Sequence, residues 1–108
     1  MAHGLFGYFN FTLKDGELTG NYINNLATGI HNETGNTANG QSNNGYDGTY
    51  TTSYTDPDGQ KSATLVINPE NTSQEFILNW TEVGTNVLYE GKGMLKEGTL
   101  HGYYHRLP

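Results

Sequence analysis

Apolar and polar residues alternate along this chain in short runs, and Gly-, Asp- and Asn-containing turns separate the runs. Phe9, Phe11 and Leu13 alternate with Asn10 and Thr12; beyond Lys14-Asp15-Gly16-Glu17, Leu18, Gly20 and Tyr22 alternate with Thr19 and Asn21. This two-residue period is that of a strand with one buried face, and Asp-Gly between two such runs is a strong hairpin signal. From Asn24 to Gly45 the apolar residues thin to Leu26 and Ile30, which predicts a long loop with at most one weak strand at Thr28–Asn32. Tyr46, Gly48, Tyr50, Thr52 and Tyr54 then share a face, Asp56-Pro57-Asp58-Gly59 turns, and Ala63, Leu65 and Ile67 form the return strand. Phe76, Leu78 and Trp80 follow after Asn68-Pro69-Glu70-Asn71; Val87, Tyr89, Gly91 and Gly93 share the next face; beyond Glu97-Gly98 a last strand runs over Thr99–Arg106.

No segment carries helical spacing over ten residues, so the prediction is an all-β domain. Seven strands are marked, with room for an eighth, and the short, regular turns favour an antiparallel up-and-down barrel over a sandwich. A recurring phrase supports closure. Leu18-Thr19-Gly20-Asn21-Tyr22, Tyr46-Asp47-Gly48-Thr49-Tyr50, Leu88-Tyr89-Glu90-Gly91 and Leu100-His101-Gly102-Tyr103 each set a Gly close to an aromatic residue. Mid-strand glycines weaken a flat sheet but relieve crowding where a sheet coils tightly.

Composition agrees with strands that have one wet face. The chain has 108 residues, enough for one domain with one modest core. Its hydrophobic fraction is 33%, with eight Tyr, against roughly 45–50% apolar residues in an average globular chain. Disorder would bring few aromatics and a high charge density, yet charged residues are only 15%. The net charge of −6, with five basic residues scattered at Lys14, Lys61, Lys92, Lys96 and Arg106, argues against a nucleic-acid partner. No stretch approaches the roughly 20 apolar residues of a membrane-spanning helix, so no membrane insertion is expected. Met1-Ala2-His3-Gly4 opens without a leader pattern, and the absence of Cys fits a reducing compartment without fixing one. Asn10-Phe11-Thr12, Asn32-Glu33-Thr34, Asn71-Thr72-Ser73 and Asn79-Trp80-Thr81 match the glycosylation pattern, which arises by chance in an Asn- and Thr-rich chain.

Chemistry-bearing motifs are sparse. His101 and His105 fall on one strand face but about 13 Å apart, too far to share a metal ion or a proton. Asp56, Asp58 and Glu70 are accounted for by turns and lack calcium-loop spacing. Glu90 and Lys92 share an outward face and are expected to pair there. There is no nucleophile elbow, phosphate loop or metal-ligand pair, and Gly91-Lys92-Gly93 lies within a strand. The expectation is a non-enzymatic protein without cofactor or metal; an enzyme on such a barrel would need a charged group in the lumen. The aromatics are the functional clue. Tyr22, Tyr46, Tyr50, Tyr54, Trp80, Tyr89, Tyr103 and Tyr104 are many for so small a core, although Tyr also packs well on half-buried strands.

Asp15-Gly16-Glu17-Leu18-Thr19-Gly20-Asn21-Tyr22 followed by Asn24 and Gly29, with Phe76-Ile77-Leu78-Asn79-Trp80 running into Leu88-Tyr89-Glu90-Gly91, resembles the strands of the avidin and streptavidin family, a calycin-type barrel. The resemblance covers residues 9–29 and 75–104. It implies that Tyr22 and Asn24 offer polar contacts to a ligand head, that Trp80 is an aromatic wall, and that Tyr89 stands where the family has a Trp. It also implies a first strand before Phe9 and a last strand after Arg106. With neither in view and one Trp in place of several, it points to the barrel rather than to biotin.

Two functions follow from the sequence. The first is a non-enzymatic ligand-binding barrel with a mouth lined by Tyr22, Asn24, Trp80, Tyr89 and Tyr103, taking a small amphipathic molecule or a sugar. The alternative is a lectin-like or protein-binding β module working through the Asn/Gly-rich loop of residues 26–45. A barrel short of terminal strands would expose two edges, so a homo-oligomer is expected.

Overall fold

The computed structural model describes residues 4–37, 45–56 and 59–108. Eight antiparallel strands follow one another around a closed barrel: β1 (Phe6–Lys14), β2 (Glu17–Asn24), β3 (His31–Thr37), β4 (Gly48–Asp56), β5 (Gly59–Glu70), β6 (Thr72–Glu82), β7 (Leu88–Lys96) and β8 (Thr99–Arg106). Each strand pairs with the next. β8 returns to β1 from Phe6↔His105 to Thr12↔Thr99. All eight strands thus fit between Phe6 and Arg106, and no strand outside those bounds is needed for closure. The expectation of two open edges is thereby corrected, and it no longer argues for a homo-oligomer.

The tight hairpins form where the turn chemistry predicts them. Asp15 and Gly16 link β1 to β2 with φ of 53° and 80°, and Glu97 and Gly98 link β7 to β8 with 53° and 82°. Two successive left-handed residues are the turn whose twist matches that of paired strands. The stretch read as one long loop divides differently. β3 occupies His31–Thr37, later than the weak strand expected at Thr28–Asn32, because its inward positions are Glu33, Gly35 and Thr37 and carry no apolar alternation. It leaves a short loop of residues 25–30 at one end of the barrel and starts the β3–β4 connection at the other. β3 thus interrupts the stretch 26–45 expected as one loop, and residues 38–44 lie outside those described.

One end of the lumen is solid. Phe11, Leu18, Tyr50, Leu65, Ile67, Leu78 and Leu100 are fully buried there. The Tyr46 ring lies 6.3 Å from that of Phe76, and its hydroxyl accepts from the Leu13 amide at 3.0 Å and donates to the Gly98 carbonyl at 2.8 Å. Tyr46 plugs this end, and burial raises its pKa.

The mid-strand glycines make room for the rings. A Cβ on Gly102 would stand 2.6 Å from Phe9 Cζ, and one on Gly91 would stand 3.2 Å from Trp80 Cζ3. Large rings from β1 and β6 can meet across so narrow a lumen only because the facing positions of β7 and β8 have no side chain.

Candidate functional site

The other end of the barrel is open. Above the packed core lies a cavity of about 220 Å³ whose walls are Phe9, Tyr22, Tyr54, Trp80, Tyr89 and Tyr104, with Glu33 among them and Leu5, Asn24, Leu26, Ala27 and Arg106 around the rim. Strand alternation places them. Tyr22 and Asn24 follow Gly20 on the inward face of β2, Trp80 follows Leu78 on β6, and Tyr104 follows Leu100 and Gly102 on β8.

The rings hold one another edge to face. Trp80 lies 5.6 Å from Phe9 at 76° and 5.8 Å from Tyr104; Tyr22 lies 6.0 Å from Tyr54 at 89° and 6.3 Å from Tyr104 at 82°. Such pairs add roughly 0.5–1.5 kcal/mol each beyond area burial, which makes the walls stiff. Polar tips are tied down as well: the Tyr22 hydroxyl donates to the Thr55 carbonyl at 2.8 Å, and the Tyr54 hydroxyl donates to Glu82 Oε2 at 2.6 Å. Burial first, then the hydrogen bond to Glu82 and the nearby negative charge, hold the Tyr54 phenol far above its ordinary range. Burial likewise pushes Tyr104 up to about 12, partly offset by its bond from Asn24.

Asn24 organises the rim more than the lumen. Its Oδ1 accepts from the amides of Leu26 and Ala27 at 3.0 and 2.8 Å, forming a side-chain turn, while its Nδ2 donates to the Tyr104 hydroxyl at 3.0 Å. Asn25 fastens the same loop to the start of β1, donating to the Gly4 carbonyl and accepting from the Phe6 amide.

Glu33 is the unusual group. Its side chain is buried at 6% exposure in the aromatic end of the lumen, where Oε2 accepts from Trp80 Nε1 at 3.1 Å. Desolvation raises its pKa from 4.5 to about 7, against the lowering effect of hydrogen bonds from Thr52 and Trp80. Among the described residues no Lys or Arg is within ion-pairing distance of it; the one ion pair there is Lys92 with Glu70 at 3.4 Å on the outer surface. Lys92 therefore reaches across to β5 instead of pairing with Glu90 along its own strand.

Of the residues predicted to line the mouth, Tyr22, Asn24, Trp80 and Tyr89 do so. Tyr103 does not. It is 51% exposed on the outer face of β8, opposite Tyr8, and the lumen residue is Tyr104. The correction follows from the two-residue period: Leu100 and Gly102 point inward, so Tyr104 must and Tyr103 cannot. Sequence reasoning missed Glu33 and Arg106 as site residues. Among the described residues no three metal-ligating side chains come together, and no helix is long and apolar enough to cross a membrane.

The closed barrel of eight antiparallel strands is compatible with a calycin-like fold. No protein-family model matches the chain, and it matches no curated protein and no solved structure. What the site does must come from its own geometry.

Proposed function

We propose that this protein is a non-enzymatic ligand-binding barrel of avidin-like type that takes one small amphipathic molecule into its open end, apolar body against the rings and polar head toward Glu33. The observation that carries the reading is the one-ended cavity itself: a stiff aromatic wall, a polar group at depth, and a rim fixed by hydrogen bonds. These are the ordinary parts of a small-molecule site, whose volume runs at roughly 300–1,000 Å³ for drug-sized ligands. At about 220 Å³ this cavity suits something smaller, a single substituted ring or a short amphiphile rather than a lipid or an oligosaccharide. The lumen does hold the ionisable group that an enzyme would need, but the groups around Glu33 are rings and hydroxyls tied to fixed partners, and binding needs nothing more.

Native mass spectrometry of the purified protein, with and without biotin, sugars and small amphiphiles, tests this reading together with the emission of Trp80, the only Trp in the chain. A bound species that moves the emission, and whose binding Trp80→Ala abolishes while the barrel stays folded, is the expected result. If every panel member leaves both the mass and the emission unchanged, the reading fails.

The outer face offers a second reading. Ile23, Tyr8 and Tyr103 lie directly opposite one another on β2, β1 and β8 and are 45%, 67% and 51% exposed. A contiguous exposed apolar row of this kind marks interaction surfaces. Self-association through it would make Tyr8→Lys a smaller species in analytical ultracentrifugation; an unchanged sedimentation coefficient would dismiss the idea.

A further inference from the structure

We infer that the ligand is an organic ammonium ion, its charged head on the Glu33 carboxylate and its apolar body between the rings of Trp80, Tyr22, Tyr54 and Tyr104. The inference rests on the ligand-binding reading of the open end and supplies its chemical class.

Three features of the site converge on a cation. The first is Glu33 itself, buried without a basic partner among the described residues, its hydrogen bonds from the Trp80 indole and the Thr52 hydroxyl both coming from neutral donors. A buried carboxylate with two neutral donors is under-compensated, and a cation arriving beside it removes the deficit. The second is the enclosure. Six aromatic residues, Phe9, Tyr22, Tyr54, Trp80, Tyr89 and Tyr104, wall the small space, and a ring face attracts an ammonium over a neutral head. The third is Glu82, 5% exposed and held to Tyr54 at 2.6 Å, which adds a second acidic group behind the same wall. The chain's net charge of −6 acts in the same direction at longer range.

Other titratable groups stand near this end on six of the eight strands. Tyr22 and, stacked on it at 5.4 Å, His31 stand on β2 and β3; Tyr54 is on β4, Glu82 on β6, Tyr89 on β7, Tyr104 and Arg106 on β8. Arg106 is the one permanent cation lining the cavity. It sits at the exposed rim, where it would oppose a second positive charge on the ligand and attract an anionic tail. The ligand is therefore a monocation at its buried end.

Binding then couples to a proton. Below neutral pH the ammonium must displace the proton that Glu33 carries, which leaves to solvent; above it the carboxylate is already ionised. Affinity for an ammonium should rise about tenfold between about pH 6 and about pH 8 and level off beyond. A neutral ligand that accepts a hydrogen bond from protonated Glu33 would show the opposite slope.

The experiment titrates the whole protein with phenethylamine, tyramine and butylamine, and with 2-phenylethanol as the uncharged counterpart of phenethylamine, following Trp80 emission and calorimetric heat at both pH values. The expected result is binding of at least one amine, phenethylamine favoured over 2-phenylethanol by at least tenfold, stronger binding at the higher pH, and loss of the preference in Glu33→Gln. The comparison of amine with alcohol is made on the unaltered protein, so a poorly folding variant does not remove the test. If 2-phenylethanol or another neutral compound binds while the amines do not, or if amine affinity falls as pH rises, the ammonium class is overturned and the ligand-binding reading survives. If neither amines nor neutral compounds bind and native mass spectrometry finds no small molecule, both are overturned.

Discussion

Replacing Glu33 by Gln removes an ionisable proton from the lumen while keeping the size of the side chain and its ability to accept from Trp80. In the folded barrel the Glu33 proton is held to about pH 7, against 4.5 when exposed, so between those values the folded state binds more protons than the unfolded one. Stability from this group is complete below about pH 4.5, declines as pH rises, and is lost by about pH 7. At about 1.4 kcal/mol per unit the loss is about 3 kcal/mol. The amide cannot ionise and escapes the loss. Glu33→Gln should therefore match the parent protein near about pH 4.5 and exceed it by about 3 kcal/mol above about pH 7, or roughly 12 °C in melting temperature for a domain of this size. Urea unfolding of both proteins across this range, followed by Trp80 emission, reads the difference directly and cancels groups common to both. A difference that stays constant with pH would refute the argument, because it would mean that Glu33 is not desolvated. A variant less stable at the higher pH would refute it more sharply, since that requires a cation beside the carboxylate.

Gly102→Ala drives a methyl group to 2.6 Å from Phe9 Cζ and against the Lys92 carbonyl; it should cost about 1–3 kcal/mol or more, seen as a lower urea midpoint. Tyr54→Phe removes the 2.6 Å bond to Glu82, whose other oxygen keeps its bond from Thr85 at 2.8 Å; the buried carboxylate left short of a donor should lower stability by about 1–3 kcal/mol in the same assay. Asn24→Ala deprives the Leu26 and Ala27 amides of their acceptor. Hydrogen exchange at those two amides should accelerate while the amides of Leu65 and Leu78 keep their protection, and a uniform acceleration would contradict a local role for Asn24.

The walls of the barrel were legible because their information is local. Phe9 and Phe11, Leu65 and Ile67, Leu78 and Trp80 all keep a two-residue period, and the Asp15-Gly16 and Glu97-Gly98 turns carry their own conformational signature. The inward face of Tyr22, Trp80 and Tyr89 is legible for the same reason, while their place at the mouth is what the avidin resemblance implies. β3 was hidden because its inward residues are Glu33, Gly35 and Thr37: a strand that supplies a polar group to a lumen loses the apolar alternation that would announce it. The repeated phrase Leu100-His101-Gly102-Tyr103 points to Tyr103, whereas the face shared with Leu100 and Gly102 is that of Tyr104. Closure was legible as a tendency in the short regular turns and mid-strand glycines, but its seam was not. The seam depends on β1 meeting β8, a pairing between residues roughly a chain length apart that leaves no trace in either segment alone.

The hidden strand and the unusual group are the same place, and one cause explains both. Elsewhere in the lumen each layer is filled for stability, Leu65 and Leu78 against Phe11, Tyr46 sealed to Leu13 and Gly98, with glycines cut to the width of the rings. At Glu33 that logic stops: an ionisable group occupies a position where Leu or Thr would pack, and near neutral pH its charge opposes folding. Local departures from consistent packing concentrate at functional sites, where a group is set for a ligand rather than for the fold. Ionised Glu33 lacks only a cation, and the cavity beside it has room for one with an apolar body attached. The same carboxylate that weakens the empty barrel is thus the group through which a bound ammonium would stabilise it, and the two effects share one pH window.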